Sequence, residues 1–254
     1  MRRKSLKEWE AYLREATVLT PEEYRELASD DRKGARALLE RWEKRQEKRK
    51  LERAQYERMT RIEREWREKG YRLIAGIDEA GRGPLAGPVV SACVILPEDE
   101  PIYGINDSKQ LSRAQRRHLS AVIRKHAIAV SVGIATAAEI DALNIYRATK
   151  LAMKRAVLNL DVRPDFLLVD AMTVDVDLPQ QSLVKGDARS VSIAAASIIA
   201  KETRDQLMEE LDRRYPGYEF GRHMGYATET HLEALRRLGP CPEHRMSFAP
   251  IRTG

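Results

Sequence analysis

Two carboxylates, Asp78 and Glu79, stand side by side directly after the apolar run Leu73-Ile74-Ala75-Gly76-Ile77. Beyond Ala80 comes a glycine-rich loop with one arginine, Gly81-Arg82-Gly83-Pro84-Leu85-Ala86-Gly87-Pro88. Carboxylates are hard oxygen donors that suit Mg²⁺ or Mn²⁺. Glycines let a backbone approach a ligand closely and turn its N–H groups toward an anion. Hard-metal donors beside such a loop point to chemistry on a phosphodiester. Two more acids recur in similar settings. Asp170 closes the apolar run Phe166 to Val169, and Asp187 follows Lys185-Gly186 after a short run at Ser182 to Val184. Ligands of open α/β sheets gather at strand ends. Carboxylates converging there repel one another unless a cation sits between them. Two divalent ions about 3.5–4 Å apart can do this and drive in-line displacement at phosphorus. No nucleophilic serine or cysteine is then needed, and no catalytic triad stands out. Taken singly, each acid is an ordinary strand-end turn residue or helix cap.

The elements that must position these acids begin at Tyr71. Leu73 to Ile77, Val89 to Leu96, Ile128 to Ala135, Phe166 to Val169 and Ser182 to Val184 read as strands. Arg113 to Lys125, Ile145 to Leu158, Ser192 to Tyr215 and Tyr226 to Leu238 read as helices, the last stopped by Gly239-Pro240. Three strands followed by alternating helices and strands predict an α/β domain with a mixed sheet over residues 71–254.

Residues 1–70 read as an all-helical extension. Ser5 to Glu8 and Thr20 to Glu23 both fit the capping box, with Pro21 at the first helical position. Asp31 can cap a third helix running from near Arg32 toward Lys69, its first turn weakened by Gly34. Tyr56, Met59, Ile62 and Trp66 fall on one face of it. Trp9, Trp42 and Trp66, the only tryptophans, favour a packed helical unit over a base-stacking platform.

The chain of 254 residues carries a net charge of +6, unevenly placed. Residues 1–70 hold 21 Lys/Arg against 16 Asp/Glu; the remainder holds 24 against 23. The excess base can attract a polyanion, although Arg and Glu at helical spacing also make a solvated, ion-paired face. No apolar stretch reaches the ~18–20 residues that span a bilayer, and the start Met1-Arg2-Arg3-Lys4 lacks the apolar core of a secretory signal. Cys93 and Cys241 alone make neither a disulfide framework nor a zinc site, which fits a reducing cytoplasm. His223, His231 and His244 are widely spaced and read as structural histidines rather than zinc ligands.

The string from Ile77 to Val89 resembles the opening signature of ribonuclease HII, the type 2 ribonuclease H family. So do Asn106 to Ser112, the run ending at Asp170, Lys185 to Asp187, Ser192 to Asp205 and His223 to His231, in the family's order from about residue 72. The resemblance implies a ribonuclease H-like fold with a mixed β-sheet flanked by helices. It implies an endoribonuclease that cuts the RNA strand of RNA–DNA hybrids and cuts 5′ of ribonucleotides embedded in duplex DNA, with two Mg²⁺ or Mn²⁺ ions. A 3′-hydroxyl and a 5′-phosphate would remain, in the service of ribonucleotide excision repair by a cytoplasmic monomer. It assigns metal binding and catalysis to Asp78, Glu79, Asp170 and Asp187. It assigns reading of the 2′-hydroxyl to the backbone of Gly81-Arg82-Gly83, a group that separates RNA from DNA. Tyr226 matches the family tyrosine that packs on the junction sugar, and Lys109 and Lys185 are candidates for phosphates. Met224 stands where the family often has lysine. The sister type 3 class is the near alternative; it typically has an acidic residue after its second glycine, where this chain has Pro84. A non-catalytic nucleic-acid binder is a further alternative. Against it, four carboxylates repel a phosphate backbone unless metals intervene. The loop is neither a dinucleotide fingerprint nor a Walker A motif.

Overall fold

The computed structural model describes residues 4–251; the basic start Met1-Arg2-Arg3 read above lies outside them. The chain divides into two compact units, Met1–Gln55 and Tyr56–Gly254. That division falls earlier than the change of texture at Tyr71.

In the first unit, α1 (Leu6–Glu15) and α2 (Pro21–Ala28) each open with a reciprocal capping box, Ser5 with Glu8 and Thr20 with Glu23. α3 (Lys33–Met59) follows. At its entry Asp30, rather than Asp31, accepts from the Arg32 N–H, at 3.0 Å. Trp9, Leu13, Leu19, Leu27, Ala35 and Leu38 form the core, with Trp42 packed against it. Trp9 and Trp42 therefore serve packing.

The long third helix expected to reach Lys69 is interrupted. α3 ends at Met59, and α4 (Arg61–Glu68) begins after Thr60. The Thr60 hydroxyl bonds back to the Glu57 carbonyl at 3.0 Å, and such bonds compete with the regular ladder. The interruption sends one apolar stripe to two places. Tyr56 and Met59 join the cluster under β2 and α8. Ile62 and Trp66 join Ile74, Phe166 and Leu168. Trp66 stacks on Phe166 with ring centroids 3.9 Å apart and donates to the Gln181 side chain at 2.7 Å.

The second unit is built on a five-stranded sheet in the order β3-β2-β1-β4-β5. The strands are β1 (Ile74–Ala80), β2 (Val89–Ile95), β3 (Ala129–Ala135), β4 (Phe166–Asp170) and β5 (Gln180–Leu183). β1–β2 and β2–β3 are antiparallel, whereas β1–β4 and β4–β5 are parallel. This is the mixed sheet that the residue pattern predicts. α5 (Arg113–His126) and α8 (Val191–Arg214) cover one face, and α7 (Ile145–Leu158) the other. α10 (Glu229–Leu238) closes the C-terminal region. The reading from pattern missed two short helices, α6 (Ala137–Leu143) and α9 (Phe220–His223), each too brief to show a helical period. Among the described residues no helix is long and apolar enough to cross a membrane.

α8 lies directly on β1. A Cβ at Gly76 would sit 2.0 Å from the Ser192 carbonyl carbon, so only glycine permits the approach. The N-terminus of α8 is fastened by a fully buried acid from α4. Glu63 Oε1 accepts from the Ser190 hydroxyl at 2.6 Å and from the Ser192 N–H at 3.0 Å. Burial raises the Glu63 carboxyl above its ordinary value, against the pull of these two bonds.

Glu63→Ala leaves a buried hydroxyl and a helix N–H without their acceptor. It should cost about 1–3 kcal/mol, measured by urea unfolding, while Glu63→Gln, which keeps one acceptor oxygen, should cost less. Equal losses for both variants would show that the acceptor contributes nothing.

Candidate active site

The register of the parallel strands creates the site. Ile77 of β1 pairs with Val169 of β4. The next residues, Asp78 and Asp170, therefore end up level on neighbouring strands. Asp170 pairs in turn with Leu183 of β5, and the chain leaving β5 turns through Gly186–Ala188, which carries Asp187. Three adjacent strand ends thus bring Asp78, Glu79, Asp170 and Asp187 together.

The carboxylates feel one another. Asp78 is buried, and its pKa is raised well above the usual carboxylate value by desolvation, then by Glu79 and Asp170. Desolvation also raises Glu79, against the opposing pull of Arg82. Asp170 is raised by desolvation and by Asp187, with the Gly186 N–H acting the other way. Each acid is held by a protein donor. Glu79 meets the Arg82 guanidinium at 3.2 Å, Asp170 accepts from the Gly186 N–H at 2.6 Å, and Asp187 lies 3.6 Å from Lys109 Nζ. Asp78 accepts from the Glu79 N–H at 2.7 Å. Held in this way, no three His, Cys, Asp or Glu side chains among the described residues form a ready-made ion cage. One group is left over: Glu79 Oε2 is buried with no hydrogen-bond partner. Burial disfavours the Lys109 charge, but Asp187, Asp107 and Asp78 outweigh it and its pKa rises. Asp107 itself caps the short turn Ser108–Gln110, accepting from the Lys109 N–H at 2.9 Å. Lys185 is exposed in a left-handed turn, and no ion pair holds it among the described residues.

The glycine loop follows β1. Gly81 has φ +96°, and a Cβ there would meet Arg204 Nε at 2.1 Å. Gly83 is different: a Cβ would meet only the Tyr226 ring, at 3.7 Å. Tyr226, 47% exposed, therefore flanks the loop.

Two buried arginines that the sequence reading missed hold this loop. Arg204 of α8 donates to the carbonyls of Pro88, Ala86 and Met224 at 2.9–3.0 Å. Arg245 donates to those of Gly81, Arg82 and Gly87 at 2.5–3.0 Å. Desolvation lowers their pKa values to about 10 and about 9, so both stay protonated at neutral pH. Arg204 did leave a signal. It falls on the buried stripe Ile193, Ser197, Ala200, Arg204, Met208 of α8, and a cation on a core stripe must have partners. Arg245 sits in an irregular tail and left none.

Comparison with known proteins agrees with this architecture. Residues 75–251 match the family model described as Ribonuclease HII, and residues 5–67 match that of the Ribonuclease HII N-terminal domain. The chain is 56% identical to a ribonuclease HII of Geobacillus thermodenitrificans (strain NG80-2), across 99% of this chain and 97% of that one. Its structure is similar to the crystal structure of ribonuclease H2 from Pyrococcus horikoshii OT3, with TM-score 0.61 and 26% identity over 72% of this chain and 96% of the other. It is also similar to Bst-RNase HIII in complex with Mn²⁺, with TM-score 0.54 and 21% identity over 72% and 69%. That last likeness shows the fold alone.

Two outcomes follow from the geometry. The raised folded-state pKa of Asp78 stabilises the fold below the unfolded value of about 3.9, and that stability is lost as pH rises through the folded value. In EDTA, Asp78→Asn should therefore gain Tm over the wild type progressively as pH rises above about 4; a difference that does not change with pH contradicts this. Gly81→Ala should cost more than about 1 kcal/mol, because it combines positive φ with overlap, whereas Gly83→Ala should unfold at the wild-type urea concentration.

Proposed function

The chain belongs to the ribonuclease HII family, and from that premise we propose that it cuts duplex DNA on the 5′ side of a single embedded ribonucleotide, leaving a 3′-hydroxyl and a 5′-phosphate. It is an endoribonuclease of the ribonuclease H class, acting on RNA–DNA hybrids. The proposal extends this to ribonucleotide excision repair by a cytoplasmic monomer.

The reading is carried by one observation: buried acids meet at neighbouring parallel strand ends, with Glu79 Oε2 lacking any partner. A donor set of hard carboxylate oxygens, with Asp78, Glu79 and Asp170 raised in pKa first by burial and then by neighbouring acids, fits Mg²⁺ or Mn²⁺. Asp78, Glu79, Asp170 and Asp187 would hold the ions. Two divalent ions bound there would supply an activated water and would offset charge on the departing 3′ oxygen. The residues do the rest. Arg82 and Lys109, which pair with Glu79 and Asp187, are the cations beside the acids that would face the phosphates. The Gly81-Arg82-Gly83 backbone, pinned by Arg204 and Arg245, offers rigid polar groups to the 2′-hydroxyl. The Tyr226 ring beside Gly83 packs on the same sugar, and Lys185 meets a neighbouring phosphate.

We assign the domains as residues 1–70, the helical extension, and 71–254, the catalytic domain. The end of the extension has a packing role through Glu63 and Trp66. Its basic helices supply accessory phosphate contacts.

A labelled duplex with one ribonucleotide, incubated with Mg²⁺, Mn²⁺ or EDTA and mapped at the cut, tests the proposal. Asp78→Asn and Asp170→Asn should bind the duplex but show no detectable turnover; near-normal turnover of either would sink the metal assignment. Aromatic packing on a nucleotide is worth about 1–3 kcal/mol. Tyr226→Ala should accordingly lower cleavage at the single ribonucleotide about 5- to 150-fold, with little change in non-specific affinity.

A further inference from the structure

Behind Tyr226 lies a group of three buried histidines that the proposed mechanism does not use. His223 and His231 stack at 4.4 Å between ring centroids, and His231 faces His244. Their relative exposures are 7%, 0% and 2%. A buried ring nitrogen needs a partner, and the backbone partners of His231 and His223 set the direction of the donors.

The direction can be read from one end. His231 Nδ1 lies 2.8 Å from the Tyr226 carbonyl. A carbonyl only accepts, so Nδ1 carries the hydrogen. The other nitrogen of the neutral ring, Nε2, is then bare. It stands 3.1 Å from His244 Nε2, so the hydrogen in that contact belongs to His244. His244 Nδ1 is bare in turn and accepts from the Cys241 N–H at 2.9 Å; the Cys241 Sγ and carbonyl stand farther off, at 3.2 and 3.3 Å, and the thiol can also donate to it. The remaining ring obeys the same rule. His223 Nε2 donates to the Tyr218 carbonyl at 2.7 Å, and its Nδ1 accepts from the Gly225 N–H at 3.2 Å. All six ring nitrogens are engaged. Burial lowers the pKa of His231, and that of His244 to about 4, so neutral rings suit the site.

The chain of bonds runs Cys241 N–H, His244, His231, Tyr226 C=O, and ends on the residue whose ring flanks Gly83. The Tyr226 carbonyl also accepts from the Thr228 N–H at 2.8 Å, and its own N–H donates to the His223 carbonyl at 3.0 Å. Both peptide planes around Tyr226 are thus fixed, and with them the direction of its Cα–Cβ bond. On the far side, the Gly225 carbonyl accepts from the Leu85 N–H at 2.8 Å, which ties the same turn to the glycine loop.

We infer that His231 and His244 are positioning residues: a one-way hydrogen-bond relay that holds Tyr226 at the angle needed to meet the sugar beside Gly83. The relay rests on the proposed role of Tyr226 for its functional consequence, but not for its structure. A solvent-exposed tyrosine on a turn has freedom to swing. The relay removes that freedom from below, out of reach of the substrate, so the ring is ordered before the duplex arrives. Preorganisation of this kind lowers the cost of binding the correct geometry.

The experiment uses the full chain. Long-range ¹H–¹⁵N correlation of the imidazoles reads the tautomers directly. His231 should appear as the neutral Nδ1–H form, and His244 as the neutral Nε2–H form. A neutral Nε2–H His231 overturns the relay. Cleavage of a duplex with one ribonucleotide reads its consequence. His231→Leu should lower cleavage about 3- to 10-fold, the worth of one hydrogen bond. His231→Asn, whose amide can replace the Nδ1 donor, should restore most of the loss, as His244→Gln should relative to His244→Leu. The loss should vanish in a Tyr226→Ala background, because both changes then act on the same contact. Additive losses would show that the histidines act elsewhere and overturn the positioning role. Should His231→Leu not fold, the His244 pair and the wild-type tautomers carry the same test. A silent Tyr226→Ala alongside the expected tautomers would count against sugar packing in the proposed function, and would also end the relay's claim to a functional consequence.

Discussion

Like charges buried side by side push the structure that holds them apart. Asp78, Glu79 and Asp170 do this at the C-terminal edge of the sheet, and every neighbouring element bears on it. Strand register sets the level of the acids. α8 lies close enough over β1 to exclude water from Asp78, an approach that Gly76 allows. Glu63 fastens the first turn of α8, next to the segment that carries Asp187. A looser scaffold would relieve the repulsion by letting the acids part. Here the sheet and helix are packed tightly enough that burial, reinforced by the neighbouring acids, raises the carboxyl pKa values instead.

The glycine loop solves a different problem. Its backbone pairing is limited to a single bridge, Ala86 with His244, which leaves the carbonyls of Gly81, Arg82, Ala86, Gly87 and Pro88 to find other donors. Arg204 and Arg245 supply them from two directions. Neither is paired with a carboxylate in these contacts, and each relies on several carbonyl dipoles instead. Arginine suits this task better than lysine, because its donors form a rigid fork and its charge survives desolvation. The loop is thereby a fixed surface rather than a flexible one. That is consistent with reading a single hydroxyl group by shape.

Much of this was legible in the sequence because it is local. Four strands announce themselves as short apolar runs, whereas β5, Gln180–Leu183, is mostly polar and starts two residues before the run read at Ser182 to Val184; α7 runs over the residues its pattern predicts, Ile145–Leu158. Both N-terminal capping boxes are local motifs and are present. The four acids stand at chain positions where strands stop, so their convergence needed only the sheet order to become visible. What stayed hidden depends on partners far along the chain. Nothing near Glu63 reveals that it serves Ser190. Arg245 lies in a tail without period. The change of direction at Thr60 reflects two separate packing surfaces, which one helical stripe does not distinguish. The three histidines are buried and hydrogen-bonded to one another and to the backbone, but the order of their protons exists only once Tyr226 and Cys241 are brought to either end.

The bond between Glu63 and Ser190 spans 127 positions of the chain. During synthesis α4 leaves the ribosome long before α8 is made. At about 5–20 residues per second, roughly 6–25 seconds separate the two. Through most of that interval Trp66, too, is without Phe166 and Gln181. This helix is thus born before the sheet it packs on and is among the last elements to be seated, and the nascent chain must carry an acid and an indole whose partners have not yet been translated.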